Sequence, residues 1–259
     1  MGPRQDFVTR YQAGDYAVWR ELVKQHEAVS QHPDLGAEAM AVARLLMQRV
    51  RQNVDQMRAT LREAGAALDD EHPPTPDAEL QPLIEVVGSL PIALHAFWTV
   101  VGSINLTPPY VPDEYPNYGE CALEQEGVSL LALDPLQIDG ADVEYLLEDH
   151  EADEPMFVDI CPDFLGKQQL SGSGPLSIEL PAHDFDRVDP DVGVDKHPGL
   201  VSYLQNACAY GGFPLLEVAK IPPEELGLNF RIAFEDVKGP WDEAAERLRA
   251  KLCRGLLPF

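Results

Sequence analysis

Cations, cysteines and long apolar runs are what this chain has least of. Its 259 residues hold 19 Lys and Arg against 44 Asp and Glu, a formal net charge of −25 at pH 7. Such a field repels nucleic acid and anionic membrane surfaces and favours cationic partners. No apolar stretch approaches the roughly 18 residues that a membrane-spanning helix needs. The opening Met1-Gly2-Pro3-Arg4-Gln5-Asp6 lacks the apolar core of a signal peptide, and Asp6 stands where a myristoylation signal wants Ser or Thr. Cys121, Cys161, Cys208 and Cys253 are far apart and form no Cys-x-x-Cys pair. That spacing predicts buried, reduced thiols rather than a zinc site, and with no other address a cytoplasmic location is expected.

Catalytic signatures are missing too. There is no Gly-x-Ser-x-Gly, no phosphate-binding loop and no His-Glu-x-x-His. Gly172-x-Gly174 is followed by Pro175 and opens no helix, so it is no phosphate cradle. His72, His183 and His197 lie beside turns and read as solvated. Asp184, Asp186, Asp189, Asp191 and Asp195 could offer oxygen ligands to calcium, but they lack EF-hand spacing, and an acidic solvated turn is the expectation. Nothing singles out Asp159 and Asp163 as a carboxylate pair for catalysis. No cofactor and no metal are expected.

What is present is an uneven distribution of charge. Residues 1–66 carry nine basic and eight acidic residues, a net of +1, whereas 67–259 carry ten against thirty-six, a net of −26. Within 112–195 there are twenty-two acids and two bases, a net of −20. The first segment reads as helical. Phe7, Val8, Tyr11, Trp19, Leu22 and Val23 suggest short helices broken near Ala13-Gly14-Asp15, and His32-Pro33-Asp34-Leu35-Gly36 reads as a turn. From about Ala37 to Ala64, Met40, Ala43, Leu46, Met47, Val50, Val54, Met57 and Leu61 recur at three- and four-residue spacing, which predicts one long amphipathic helix. Arg44, Arg49, Arg51, Arg58 and Arg62 fall on its other faces, toward water or the acidic part of the chain. Residues 67–77 are polar and proline-rich and read as a linker. The domain reading is therefore 1–66 a helical extension, 67–77 a linker and 78–259 the main domain.

The most informative stretch runs from Gly88 to Leu106. Ser89 can cap a helix, Pro91 suits a first turn, and Leu94, Phe97, Trp98 and Val101 make one apolar stripe. Gly102 stands where a left-handed cap would end the helix, and Ser-Ile-Asn-Leu follows as a short strand. Further on, strands are expected at 128–133, 136–138, 156–161 and 176–180, and helices near 143–148, 198–208 and 241–252. Leu-Pro, a helix with an aromatic pair, Val-Gly and a strand, then Asp134-Pro135-Leu136, Phe157-Val158-Asp159-Ile160, Ile178-Glu179-Leu180 and a late Gly-Gly-Phe-Pro resemble the SUKH superfamily over about residues 78–216. These are bacterial toxin-immunity proteins related to a fungal cell-wall regulator. The fold expectation is α+β, with one twisted, mainly antiparallel sheet flanked by helices and an N-terminal helical extension.

The resemblance implies a non-catalytic binding protein, an immunity protein neutralising a basic toxin such as a nuclease. Charge points the same way, because a nuclease presents a basic face to phosphates. A regulatory scaffold and a carboxylate-dependent enzyme are the alternatives. Residues 108–119 carry prolines that prevent regular structure and display tyrosines among acids. Tyr110, Asp113, Glu114, Tyr115 and Tyr118 are the candidate contacts for a basic protein partner. Neither nucleic acid nor membrane is expected as a partner.

Overall fold

Helix α4 (Pro33–Glu63) is thirty-one residues long, about 46 Å at 1.5 Å per residue. One face buries Ala39, Val42, Ala43, Leu46, Met47, Val50, Val54, Met57 and Leu61. In the computed structural model the three preceding helices and those over Ile92–Val100 and Glu243–Leu252 pack on this helix. The structure describes residues 6–68, 70–107, 122–123, 128–129, 135–148, 150, 155–161, 176–180, 186, 199–213 and 243–259. Before α4 come α1 (Phe7–Gln12), α2 (Val18–Lys24) and α3 (His26–Gln31), and each touches it. Asp6 caps α1 by accepting the Thr9 N–H at 2.9 Å.

The turn expected at 32–36 is instead the first turn of α4. Pro33 lies just inside the helix start, where its missing N–H leaves no bond unmade. Gly36 is tolerated there because a Cβ would lie 3.3 Å from the Val29 carbonyl, so glycine lets α3 come close.

Helix α5 (Asp77–Val87) and helix α6 (Ile92–Val100) follow. In α6 and its C-cap, Leu94, Phe97, Trp98 and Val101 are all buried, as the stripe requires. Its start differs from expectation: Pro91 is itself the N-cap, and among the described residues no side chain, Ser89 included, caps the helix. Gly102 ends it at φ +84°, and a Cβ there would collide with the His72 and Pro73 carbonyls.

That collision marks where the proline-rich segment packs. His72 donates its N–H to Ser103 Oγ at 2.7 Å, Ser103 N–H returns to the His72 carbonyl at 3.2 Å, and Thr75 N–H bonds the Trp98 carbonyl at 2.8 Å.

The strands are β1 (Ile104–Asn105), β2 (Ala122–Leu123), β3 (Val128–Ser129), β4 (Gln137–Ile138), β5 (Met156–Cys161) and β6 (Leu176–Leu180). All observed pairing is antiparallel, β1 with β4, β2 with β3 and β5 with β6. In place of one continuous sheet the described residues form three two-stranded ladders. The β1–β4 and β5–β6 ladders are joined where Asp139, just after β4, donates its N–H to the Ile160 carbonyl at 2.9 Å. The fold class is α+β, with helices α7 (Val143–Glu148), α8 (Leu200–Ala209) and α9 (Glu243–Leu252) completing it. After α8, Gly212 at φ +88° presents its carbonyl to the Leu136 N–H at 2.7 Å, so the double glycine ties the helix stop to the strand region. The core is shared: α4, α6, the inner faces of β1, β4, β5 and β6, and α8 belong to one buried apolar cluster.

Candidate functional site

The alternation along β5 decides what the ladder shows to water. Met156, Val158 and Ile160 point into the core, and Phe157 and Asp159 point out. The register sets Phe157 opposite Glu179 and Asp159 opposite Ser177. Residues directly opposite share a face, so an aromatic ring stands beside two carboxylates on the outer surface of the β5–β6 ladder. Phe157 is 52% exposed, although strand alternation ordinarily gives that position a polar side chain. Partial desolvation, and then the charge of Asp139 nearby, push the Asp159 carboxyl above its ordinary value. Asp142, just before α7, and Glu144, Tyr145 and Glu148 within it are also exposed, Tyr145 to 61%.

A second charged region has the opposite sign and a different use. Arg51, Asp55, Arg58 and Arg62 follow one another at helical spacing on α4 and line a cleft of about 350 Å³ with Glu71, His72, Pro73 and Pro74. Arg51 donates to the Val101 carbonyl at 3.0 Å, pairs with Asp55 at 3.1 Å and lies 3.5 Å from Glu71. Arg58 is almost fully buried, donates to the Asn105 carbonyl and lies 3.3 Å from Glu71. Burial draws its guanidinium below the ordinary value, and the Glu71 carboxylate opposes that shift. Arg44 chelates both oxygens of Asp77, at 3.0 and 3.3 Å, while His95 Nε2 approaches the same carboxylate at 2.6 Å. That hydrogen bond from His95, with Arg44 beside it, holds Asp77 below the usual carboxylate range. Arg49 stacks 4.8 Å above the Tyr16 ring. Arg44, Arg51 and Arg58 thus meet acids of the later part of the chain, as expected, and in doing so clamp α4 to its neighbours, whereas Arg62 stays exposed.

The third charged feature is concealed in the acidic run around 184–195. Asp186 is buried, and its carboxylate accepts the Trp19 indole N–H and the Val201 N–H, both at 3.0 Å. Its backbone carbonyl accepts Leu200 N–H at 3.0 Å. The residue therefore joins α2 to the first turn of α8, satisfying helix N–H groups that the N-cap residue, Gly199, cannot cap with a side chain. Gly199 is needed beside it, since a Cβ would fall 2.6 Å from the Asp186 carbonyl oxygen. Burial pushes the Asp186 carboxyl up to about 6, against the two hydrogen bonds that favour its charged form. The other acids of that calcium candidate lie outside the described residues.

Tyr110, Asp113, Glu114, Tyr115 and Tyr118, the contacts expected from sequence, also lie outside the described residues, as do Asp163, His183 and His197. Among the described residues no cluster of His, Cys, Asp or Glu is arranged to hold a metal, and no helix is long and apolar enough to cross a membrane. Cys161 and Cys208 are buried and Cys253 is half-buried, with no disulfide among them. Burial pushes the Cys208 thiol up to about 12, which removes it as a nucleophile at neutral pH.

The residues missed by sequence reasoning differ in what could have revealed them. The outward pair Phe157 and Asp159 follows from period-two alternation, and the stripe Arg51-Asp55-Arg58-Arg62 from helical spacing. Glu71 and Asp186 carry no local signal, because their partners are distant in sequence. Arg44, Arg51 and Arg58 on α4 are bonded to acids of the chain itself, whereas Asp159, Glu179 and Phe157 are exposed to solvent. Compared with the models of known families, with curated proteins and with solved structures, the chain matches none.

Proposed function

We propose that this protein is a non-catalytic binding protein that acts in the cytoplasm and engages a basic protein through its acidic surface. A toxin such as a nuclease is the partner that best suits that charge, in the manner of the bacterial immunity proteins of the SUKH superfamily. The observation that carries this reading is the net −20 of residues 112–195. It is supported by the exposed acids of α7 and the β5–β6 ladder and by the tyrosines near them in sequence. Opposite charge steers encounter and raises association rates, while aromatic side chains supply the buried area that slows release. The described thiols form no disulfide, which accords with a reducing compartment.

The test is capture from the native cell at low salt, followed by titration of the purified partner against this protein. One stoichiometric basic protein is expected, with affinity falling as salt rises. Neutralising Asp113 and Glu114 should slow association chiefly at low salt, and Tyr115→Ala should speed dissociation. Turnover of a substrate by the purified protein, or binding equally tight at about 1 M salt, where the screening length is near 3 Å, contradicts the reading.

A further inference from the structure

We infer that the outer face of the β5–β6 ladder is a docking surface for an arginine side chain of a basic protein, with Phe157 as its platform and Asp159 and Glu179 as its flanking anions. This rests on the proposed acidic-surface function and adds the place and the chemistry of contact.

Three residues converge on this face. Phe157 is the outward aromatic in the alternation from Met156 to Ile160, ahead of the irregularity near Cys161, and is half-exposed within the ladder. Glu179 stands directly across from it and Asp159 two residues along the same strand. At ordinary sheet spacings the Cβ atoms of both acids fall within about 7 Å of the Phe157 Cβ. A guanidinium is flat, stacks on a ring face and donates in a fork at its edges, so one arginine can lie on Phe157 and still reach both carboxylates. Lysine can meet one anion or the ring but cannot make that forked contact.

The charge around the face selects the same occupant. Within 112–195 only Lys167 and Arg187 oppose twenty-two acids, and among the described residues neither Asp159 nor Glu179 is paired with a cation. Partial desolvation, and then the charge of nearby Asp139, raise the proton affinity of Asp159. A guanidinium brought to this face relieves that repulsion, whereas an acidic or neutral segment gains nothing from it. Arg51 and Arg58 of α4 are already held by carbonyls and Glu71, so neither serves as that cation in cis.

The test is a titration of the intact, isotopically labelled protein at low ionic strength with a short peptide alternating glycine and arginine, read by amide NMR. Matched peptides carrying lysine or neutral citrulline are the comparisons. Shifts are expected to centre on residues 156–161 and 176–180, with arginine binding more tightly than lysine and citrulline not binding. Phe157→Ala should weaken the arginine peptide about three- to fivefold, the scale of an exposed cation–π contact, with a smaller effect on lysine. Asp159→Asn combined with Glu179→Gln should weaken both peptides and flatten the salt dependence. Phe157 is a surface residue, and an unchanged amide spectrum away from the ladder confirms that its variant is folded. Binding that shifts other residues and is unaffected by Phe157→Ala overturns the docking face while leaving the acidic-surface function standing. No binding of the arginine peptide at low ionic strength overturns both.

Discussion

Two charged regions of one molecule differ in how their charges are bonded. On α4 three cations are bonded within the fold: Arg58 is buried against Glu71 and a backbone carbonyl, Arg51 reaches Val101, Asp55 and Glu71, and Arg44 grips Asp77. On the β5–β6 ladder Asp159 and Glu179 are exposed, and partial desolvation, then the charge of Asp139, raise the Asp159 carboxyl. The difference shows that net charge alone does not locate function. A charge bonded on several sides holds the fold together, and one left with a like-charged neighbour is a place where a partner gains energy by arriving.

Breaking the arginine side should therefore be costly to stability. Arg58→Ala leaves Glu71 buried without its cation, and about 3–5 kcal/mol of unfolding free energy should be lost, measured by urea denaturation. Adding Glu71→Gln should restore part of that loss, because the stranded charge is then gone. A similar loss, about 3–5 kcal/mol, is expected for Trp98→Ala, which empties the core beside α4. A variant of either residue as stable as the parent contradicts the packing described.

Asp186 provides a smaller effect with a definite sign. Its folded-state carboxyl titrates near 6, above the 3.8 of an exposed aspartate, so between those values the folded chain holds a proton that the unfolded chain has released. Its contribution to stability is therefore greatest below about pH 4, declines as pH rises through 6 and is constant above that. A gap of that size between the folded and unfolded chains corresponds to about 3 kcal/mol. Asp186→Asn abolishes this component. Comparing the variant with the parent from pH 4 to 7 isolates it from the opposing contributions of Asp77 and Glu21, whose carboxyls are held low by their partners. Parallel pH profiles for the two proteins would contradict the burial of this carboxylate.

The smallest expected change in stability belongs to the acidic face. Asp159→Asn and Glu179→Gln should alter unfolding free energy by no more than about 0.5 kcal/mol, as exposed substitutions do. A large gain in stability on neutralising them would mean that repulsion across this face strains the fold more than exposed charges ordinarily do.

How far the sequence leads depends on the range of the interaction. Helical spacing is enough to predict α4 and the buried stripe Leu94, Phe97, Trp98 and Val101, because periodicity is local. The left-handed Gly102 can be read from its place after that stripe. Residues 32–36 mislead because proline serves both turns and helix starts, and only the tight approach of α3 at Gly36 decides between them. Glu71 looks like part of a polar linker, since nothing in its neighbours announces Arg58. Asp186 looks like one acid among five, because Trp19 lies 167 residues away. The candidate surface is half legible: alternation places Phe157 and Asp159 together, but Glu179 joins them only through the register of β5 with β6.

The central claim is that the acids of the ladder are spent on a partner and the arginines of α4 on the fold. It is tested most directly by the association rate of the captured basic partner as a function of ionic strength, measured for the parent and for the Asp159→Asn, Glu179→Gln double variant. The account predicts a steep fall with salt for the parent, and a slower low-salt rate with a shallower fall for the double variant, the two converging at high salt. Superimposable curves for the two proteins would contradict it.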